Sequence, residues 1–207
     1  MRITELAAAE RADLAAFLST LSPAQWETPT LCDDWSVRDV VAHMISYEDL
    51  GLAGGLRRVA EERFSLDRAN KIGVAERRTQ GPPELLDQLT HRLVPRGLPA
   101  QFGGRIALAD ALIHHQDIRR PLGCPRVVPP ERLSVALSFA LVAPPIGGFW
   151  MVRGLRLEAS DQDWAGGRGR LVRGRAEALL MAVAGRRGVV EELSGPGQEV
   201  LAGRIGG

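Results

Sequence analysis

The sequence predicts a mainly α-helical protein, an antiparallel four-helix bundle followed by a small α/β segment. Three observations carry this. Four stretches before residue 120 repeat apolar side chains at helical spacing. Short connectors containing Pro and Gly separate them, as in a bundle of neighbouring helices. After Pro129-Pro130 a period-two alternation appears between helical stretches.

Residues 3–21 form the first amphipathic helix, with Ile3, Leu6, Leu14, Phe17, Leu18 and Leu21 near one face. Ser22-Pro23 ends it and leads to a connector holding Trp26. Ser36 is placed as an N-cap with Asp39 three residues on, the spacing of a capping box, and Trp35 and Val40 are placed as its hydrophobic staple. The second helix starts at Val37 and is expected to reach at least Leu50; Gly51, Gly54 and Gly55 bend it before 56–63 continues. A third helical stretch, 67–94, is interrupted at Gly81-Pro82-Pro83, where proline suits a first turn. After a Pro- and Gly-rich loop over 95–104, the fourth helix covers 105–119 and stops before Pro121.

Beyond it, 131–143 reads as helix, and Pro144-Pro145 with Gly147-Gly148 as a break. Residues 154–160 alternate like a strand, and 169–174 are expected to pair with it through a turn at Gly166-Gly167. Ala176–Ala184 is helical with Gly185 as its C′ residue, and a short last element runs from Glu199 to Ile205. The expected division is a bundle over 1–128 and a small α/β domain over 129–207.

Composition narrows the function classes. Apolar residues make up 45% of the 207, enough for a buried core without staples. Twenty-six basic residues against 25 acidic ones leave a net charge of +1, which argues against a nucleic-acid binder. Lys71 is the only lysine, so the arginine excess reads as genome composition. GRGRLVRGR (167–175), with its four arginines, reads as a strand with solvated faces. No stretch has the length and apolarity of a membrane span. The opening stretch lacks a signal peptide's uninterrupted apolar core. Cys32 and Cys124 stand far apart and read as free thiols in a reducing compartment; Cys32, close to the start of the second helix, is also weighed as a redox-sensitive thiol or an extra ligand. A cytoplasmic location is the expectation.

Chemistry concentrates on the histidines. At 100° per residue, Val37, Val40, Val41, Met44 and Ile45 form the apolar stripe of the second helix, and His43 lies at its edge. On the fourth helix Ile106, Asp110, Ile113 and Asp117 share a face bordered by His114. Asp110 and His114, four apart, reach one point above the helix surface. Completed by His43 from a facing helix, they make a three-ligand site with an open position, the arrangement of a catalytic zinc. His115 points nearly the opposite way and is a poorer ligand. Asp117 is placed either as a fourth ligand or as an acceptor that holds an imidazole. The blander reading is a packed histidine beside an ordinary Asp-x-x-x-His pair.

TPTLCDDWSVRDVVAHM (28–44) and RIALADALIHHQDIRRPLG (105–123) resemble the signature stretches of the mycothiol-dependent maleylpyruvate isomerase family, part of the DinB-like metal-binding bundle superfamily. Residues 154–187 followed by ELSGPG resemble that family's C-terminal portion, and the resemblance is weakest between 50 and 100. It implies a DinB-like four-helix bundle with a divalent metal, usually zinc, held by His43, Asp110 and His114. The family pattern has Glu where this chain has Asp110, one methylene shorter, so the metal is expected to sit closer to the helix or bind more weakly.

The resemblance also implies a reaction. A low-molecular-weight thiol, mycothiol in the family, adds to or is transferred to a small-molecule electrophile, as a metal-dependent transferase or isomerase. Arg38, Arg119 and Arg120 are then candidates for binding carboxylates bidentately, against a plainer reading as solvated helix residues or ion-pair members. Two other functions share the scaffold: a non-catalytic ligand-binding or stress-response protein, and a metal-dependent hydrolase with Asp117 as the catalytic base. The expected assembly is a monomer or homodimer with no nucleic-acid or membrane partner.

Overall fold

The computed structural model describes residues 2–32, 34–143 and 148–206, and the chain divides into two compact units, Met1–Pro125 and Arg126–Gly207. In the first unit α1 (Ile3–Leu18) buries Leu6, Leu14 and Leu18 at helical spacing. It also buries two charges, Glu10 and Arg11. Arg11 meets Glu48 at 2.7 Å, both side chains 2% exposed, and donates to the Arg92 carbonyl. The helix ends at Ser19, short of residue 21, and Ser22 caps one further turn, α2 (Pro23–Trp26), through Gln25.

Ser36 and Asp39 form the expected capping box at the start of α3 (Val37–Ser46). The stripe Val37, Val40, Val41, Met44 and Ile45 is buried. This helix does not run to Leu50. It stops at Ser46, and Gly51, with φ of 60°, opens a separate helix, α4 (Gly51–Glu61). Glycine serves there because it takes a left-handed conformation without a Cβ penalty. The expected third helix is also two: α5 (Leu66–Ala75) and α6 (Pro82–Thr90), the latter started by prolines. A short 3₁₀ turn, Gln101–Gly104, leads into α7 (Arg105–Arg119).

Helix α1 packs on α6 and α7, and α3 packs on the same two, closing a four-helix bundle with α5 added against α3. Its core holds Leu14, Leu18, Trp26, Val40, Val41, Ile45, Leu85, Leu89 and Ile118. Trp35 packs at the edge of this core, where its indole lies 5.1 Å from the His43 ring. The staple position therefore also walls the histidine.

The second unit begins with α8 (Pro130–Ala140) and α9 (Gly148–Met151). The expected break at 144–147 lies outside the described residues. Strands β1 (Leu155–Ala159), β2 (Ala165–Gly167) and β3 (Arg170–Gly174) form a sheet of order β2-β1-β3. β2 runs antiparallel to β1, but β3 is parallel to it, pairing Leu157 with Val172. The expected hairpin between β1 and 169–174 is thus replaced by a crossing from one edge to the other. Gly169, with φ of 130°, makes the crossing: a Cβ there would lie 2.0 Å from the Gly154 carbonyl oxygen. Leu155, Leu157 and Val172 face α10 (Ala176–Val183), which also packs on α8. Gly185 takes its expected left-handed place after α10, and α11 (Gln198–Ile205) follows a 3₁₀ turn at Val189–Glu192. Trp150 is 69% exposed, and Trp164 donates to Ser138, so neither is core. Among the described residues, no helix is long and apolar enough to cross a membrane.

Candidate metal centre

Two helices of the bundle bring the three expected ligands together. His43 lies in the last turn of α3, at the border of its buried stripe, and only 6% exposed. Asp110 and His114 stand one turn apart on α7, which packs against α3. One oxygen of Asp110, Oδ1, lies 3.6 Å from His43 Nε2 and 3.4 Å from His114 Nε2. The two imidazoles meet edge to face with centroids 5.0 Å apart. One ligand atom from each residue lies within 4.8 Å of the others.

These separations fit a tetrahedral ion. With zinc bonds of about 2.0–2.2 Å to nitrogen and oxygen, neighbouring donors stand about 3.4 Å apart. With Asp110 in place of Glu, its Oδ1 still stands close to this spacing from both imidazoles.

The electrostatics follow from the same contacts. Partial burial works to raise the Asp110 carboxyl, yet the two imidazoles, His114 foremost, hold it well below the usual carboxylate range. Burial works to lower His114, but the Asp110 carboxylate, the Cys32 sulfur and the hydrogen bonds to Asp110 and Asp117 hold it well above its ordinary value. Without a cation, then, an imidazolium and a carboxylate neutralise each other. A cation at the same point takes the proton's place, which is how such ligand sets exchange protons for metal.

Asp117 occupies the other side of His114. Its Oδ2 is 2.9 Å from His114 Nδ1, and its side chain is fully buried. A carboxylate accepting the Nδ1 proton fixes the tautomer that leaves Nε2 as the ligand atom. Of the three roles weighed for Asp117, fourth ligand, acceptor and catalytic base, this geometry favours the acceptor that holds the ring.

The expected anion-binding arginines face other groups. Arg38 donates to the Arg78 carbonyl and lies near Glu27 and Asp39. Arg119 donates to His115 Nε2 at 2.8 Å and to the Cys124 carbonyl, with its guanidinium 3.7 Å from the Phe17 ring centroid. Arg120 is the half-buried C-cap of α7.

One feature went unread in the sequence. His115 and Glu10 are fully buried and 2.8 Å apart. Glu10 sits four residues from both Leu6 and Leu14, in the middle of the apolar stripe, and that position was its signal. Cys32, weighed in the sequence as a redox-sensitive thiol or extra ligand, brings its Sγ to 3.0 Å from Asp117 Oδ2 and 3.6 Å from His114 Nδ1. No regular spacing announces it, because its loop is placed by tertiary contacts.

Residues 7–96 match the family model of the mycothiol maleylpyruvate isomerase N-terminal domain. That stretch includes His43 and ends before α7. Two solved structures resemble the chain. A crystal structure of a histidine-to-alanine variant of the mycothiol-dependent maleylpyruvate isomerase has a TM-score of 0.61 at 17% identity, over 94% of this chain and 91% of that one. A second crystal structure, of the mycothiol-dependent maleylpyruvate isomerase, has a TM-score of 0.55 at 16% identity, over the same shares. At these identities the likeness is one of fold. No curated protein matches the chain.

Proposed function

We propose that the chain, whose residues 7–96 match the mycothiol maleylpyruvate isomerase N-terminal domain, is a divalent-metal-dependent transferase or isomerase using a low-molecular-weight thiol of the mycothiol type on a small electrophile. The observation that carries this reading is the convergence of His43 Nε2, Asp110 Oδ1 and His114 Nε2 at separations of 3.4 and 3.6 Å. Three protein donors leave one position of a tetrahedron for a ligand from solution.

A divalent cation held there supplies Lewis acidity, lowering the pKa of a thiol so that the nucleophilic thiolate forms at neutral pH. The chain's own groups prepare the place. Asp117 holds the His114 ring through Nδ1. Trp35 and Tyr47 wall His43, with ring centroids 5.1 and 6.2 Å away. Tyr47 is itself anchored by donating to Asn70 at 2.8 Å. The walls exclude water from two sides of the ligand set, which strengthens its interactions with charge.

The reading is tested by elemental analysis of the purified protein beside His114→Ala, followed by thiol-dependent turnover of maleylpyruvate and related electrophiles. About one zinc or similar ion per chain is expected in the wild type, lost in the variant, with turnover that requires both metal and thiol. A wild type that takes up no divalent ion, or turnover unchanged in His43→Ala and His114→Ala, overturns it.

A further inference from the structure

The His114 ring faces donors on both of its nitrogens, and only the Nε2 side is used by the proposed centre. On the Nδ1 side Cys32 Sγ, His114 Nδ1 and Asp117 Oδ2 stand 2.9, 3.0 and 3.6 Å apart, a second group able to hold an ion. We propose that Cys32, His114 and Asp117 form a second cation site, selective for a thiophilic divalent ion such as zinc or cadmium, which competes with the first for His114.

The loop that carries Cys32 is built onto α7. Leu31 donates its N–H to the Asp117 carbonyl at 3.1 Å, tying the two segments together beside the site. Thr30 accepts from the Cys32 N–H and donates to the Trp35 carbonyl, and Thr28 accepts from the N–H of Val37. These bonds hold the sulfur over the last turns of α7. Asp117 is fully buried, and a buried carboxylate is stable only beside positive charge or donors.

The donor sets differ in kind. His43, Asp110 and His114 offer two nitrogens and an oxygen, whereas the second group replaces one nitrogen with sulfur, which favours softer ions. With a zinc–sulfur bond of about 2.3 Å and a zinc–nitrogen bond of about 2.0 Å, tetrahedral donors stand about 3.6 Å apart. The Cys32–His114 separation is 3.6 Å. Asp117 is hydrogen-bonded more closely than that and must withdraw by about 0.5 Å to reach the same tetrahedral spacing.

The test uses cobalt(II) as probe on the full chain, dialysed free of small thiols. In His43→Ala, which removes a ligand of the first site alone, cobalt is expected to give the near-ultraviolet thiolate-to-cobalt charge-transfer band. Asp110→Ala serves the same purpose should the histidine variant not fold. Adding Cys32→Ser to either background is expected to abolish the band and weaken cadmium binding at least ~10-fold, the loss of one ligand-scale interaction. Cys124→Ser leaves the band in place. Absence of the band in both single variants, or its survival in the Cys32→Ser combinations, overturns the proposal. Failure of the first site is read separately, from the cobalt bound by Cys32→Ser alone.

Discussion

Asp117→Asn isolates a side chain that supports the first centre without being one of its three ligands. The side chain is fully buried and accepts from His114 Nδ1 at 2.9 Å and from Cys32 Sγ at 3.0 Å. The amide preserves volume and an acceptor oxygen but removes the charge. Charge-assisted hydrogen bonds contribute roughly twice as much as neutral ones, so the change is worth about 1–2 kcal/mol. Loss of a carboxylate behind a ligating histidine typically costs about 10–100-fold in metal affinity. At 1.4 kcal/mol per decade the two figures meet at about tenfold. Asp117→Ala is expected to cost more, because it leaves the imidazole donor buried without its acceptor. Zinc affinity measured by competition with a chromophoric chelator is the assay, with near-native circular dichroism as the condition for comparison. An Asn variant that binds zinc within twofold of wild type would falsify the orienting role, since the bond would then contribute nothing to holding Nε2 toward the ion.

Three further outcomes follow from the structure. Glu10→Gln weakens the buried Glu10–His115 contact and is expected to cost about 1–3 kcal/mol, a melting temperature lower by about 2–10 °C for a chain of this size, with metal content unchanged. Calorimetry and elemental analysis of the same sample check both halves. In the metal-free protein the raised His114 contributes stability below its ordinary 6.5 that is lost as pH rises through its folded value. The depressed Asp110 contributes stability above its ordinary 3.8 that is lost as pH falls. Denaturant titrations from acid to alkaline pH should therefore show a maximum between these values, and His114→Gln should flatten its alkaline side. Gly169→Ala forces a Cβ to 2.0 Å from the Gly154 carbonyl at a φ of 130°. It is expected to destabilise the second unit by more than about 2 kcal/mol, read as loss of its amide protection in hydrogen exchange.

What was legible in the sequence was whatever repeats at a fixed spacing. His43 at the edge of the Val37, Val40, Val41, Met44 stripe, and Asp110 four residues before His114, follow from helix geometry alone, and the structure places them together. The capping box at Ser36 was visible for the same reason. Features set by packing between segments were not visible. The break after Ser46 depends on the left-handed Gly51, which periodicity reads as a bend. The direction of β3 depends on how Gly169 passes Gly154, and alternation of side chains carries no direction. Cys32 belongs to a loop whose position is fixed by a bond from Leu31 to a carbonyl 86 residues away on α7.

The adjacent histidines show how one helix turn serves two ends. Consecutive residues on a helix point about 100° apart, so His114 and His115 cannot share a site. His114 faces α3 and meets Asp110 and His43. His115 faces α1, where Glu10 lies 2.8 Å from Nδ1 and Arg119 donates to Nε2. With Nε2 accepting from Arg119, Nδ1 is the nitrogen left to donate to Glu10, and both ring nitrogens are occupied. His115 thereby spends its donors and acceptors on anchoring α7 to α1, which packs against it along its length. That anchorage acts with the rest of the α1–α7 packing to fix the rotation of α7 about its own axis. Rotation decides whether Asp110 and His114 present Oδ1 and Nε2 to His43 at tetrahedral spacing, because a helical side chain swings with its turn. The buried pair holds that rotation only together with the rest of the α1–α7 packing, so weakening it alone is expected to lower stability and leave metal content unchanged.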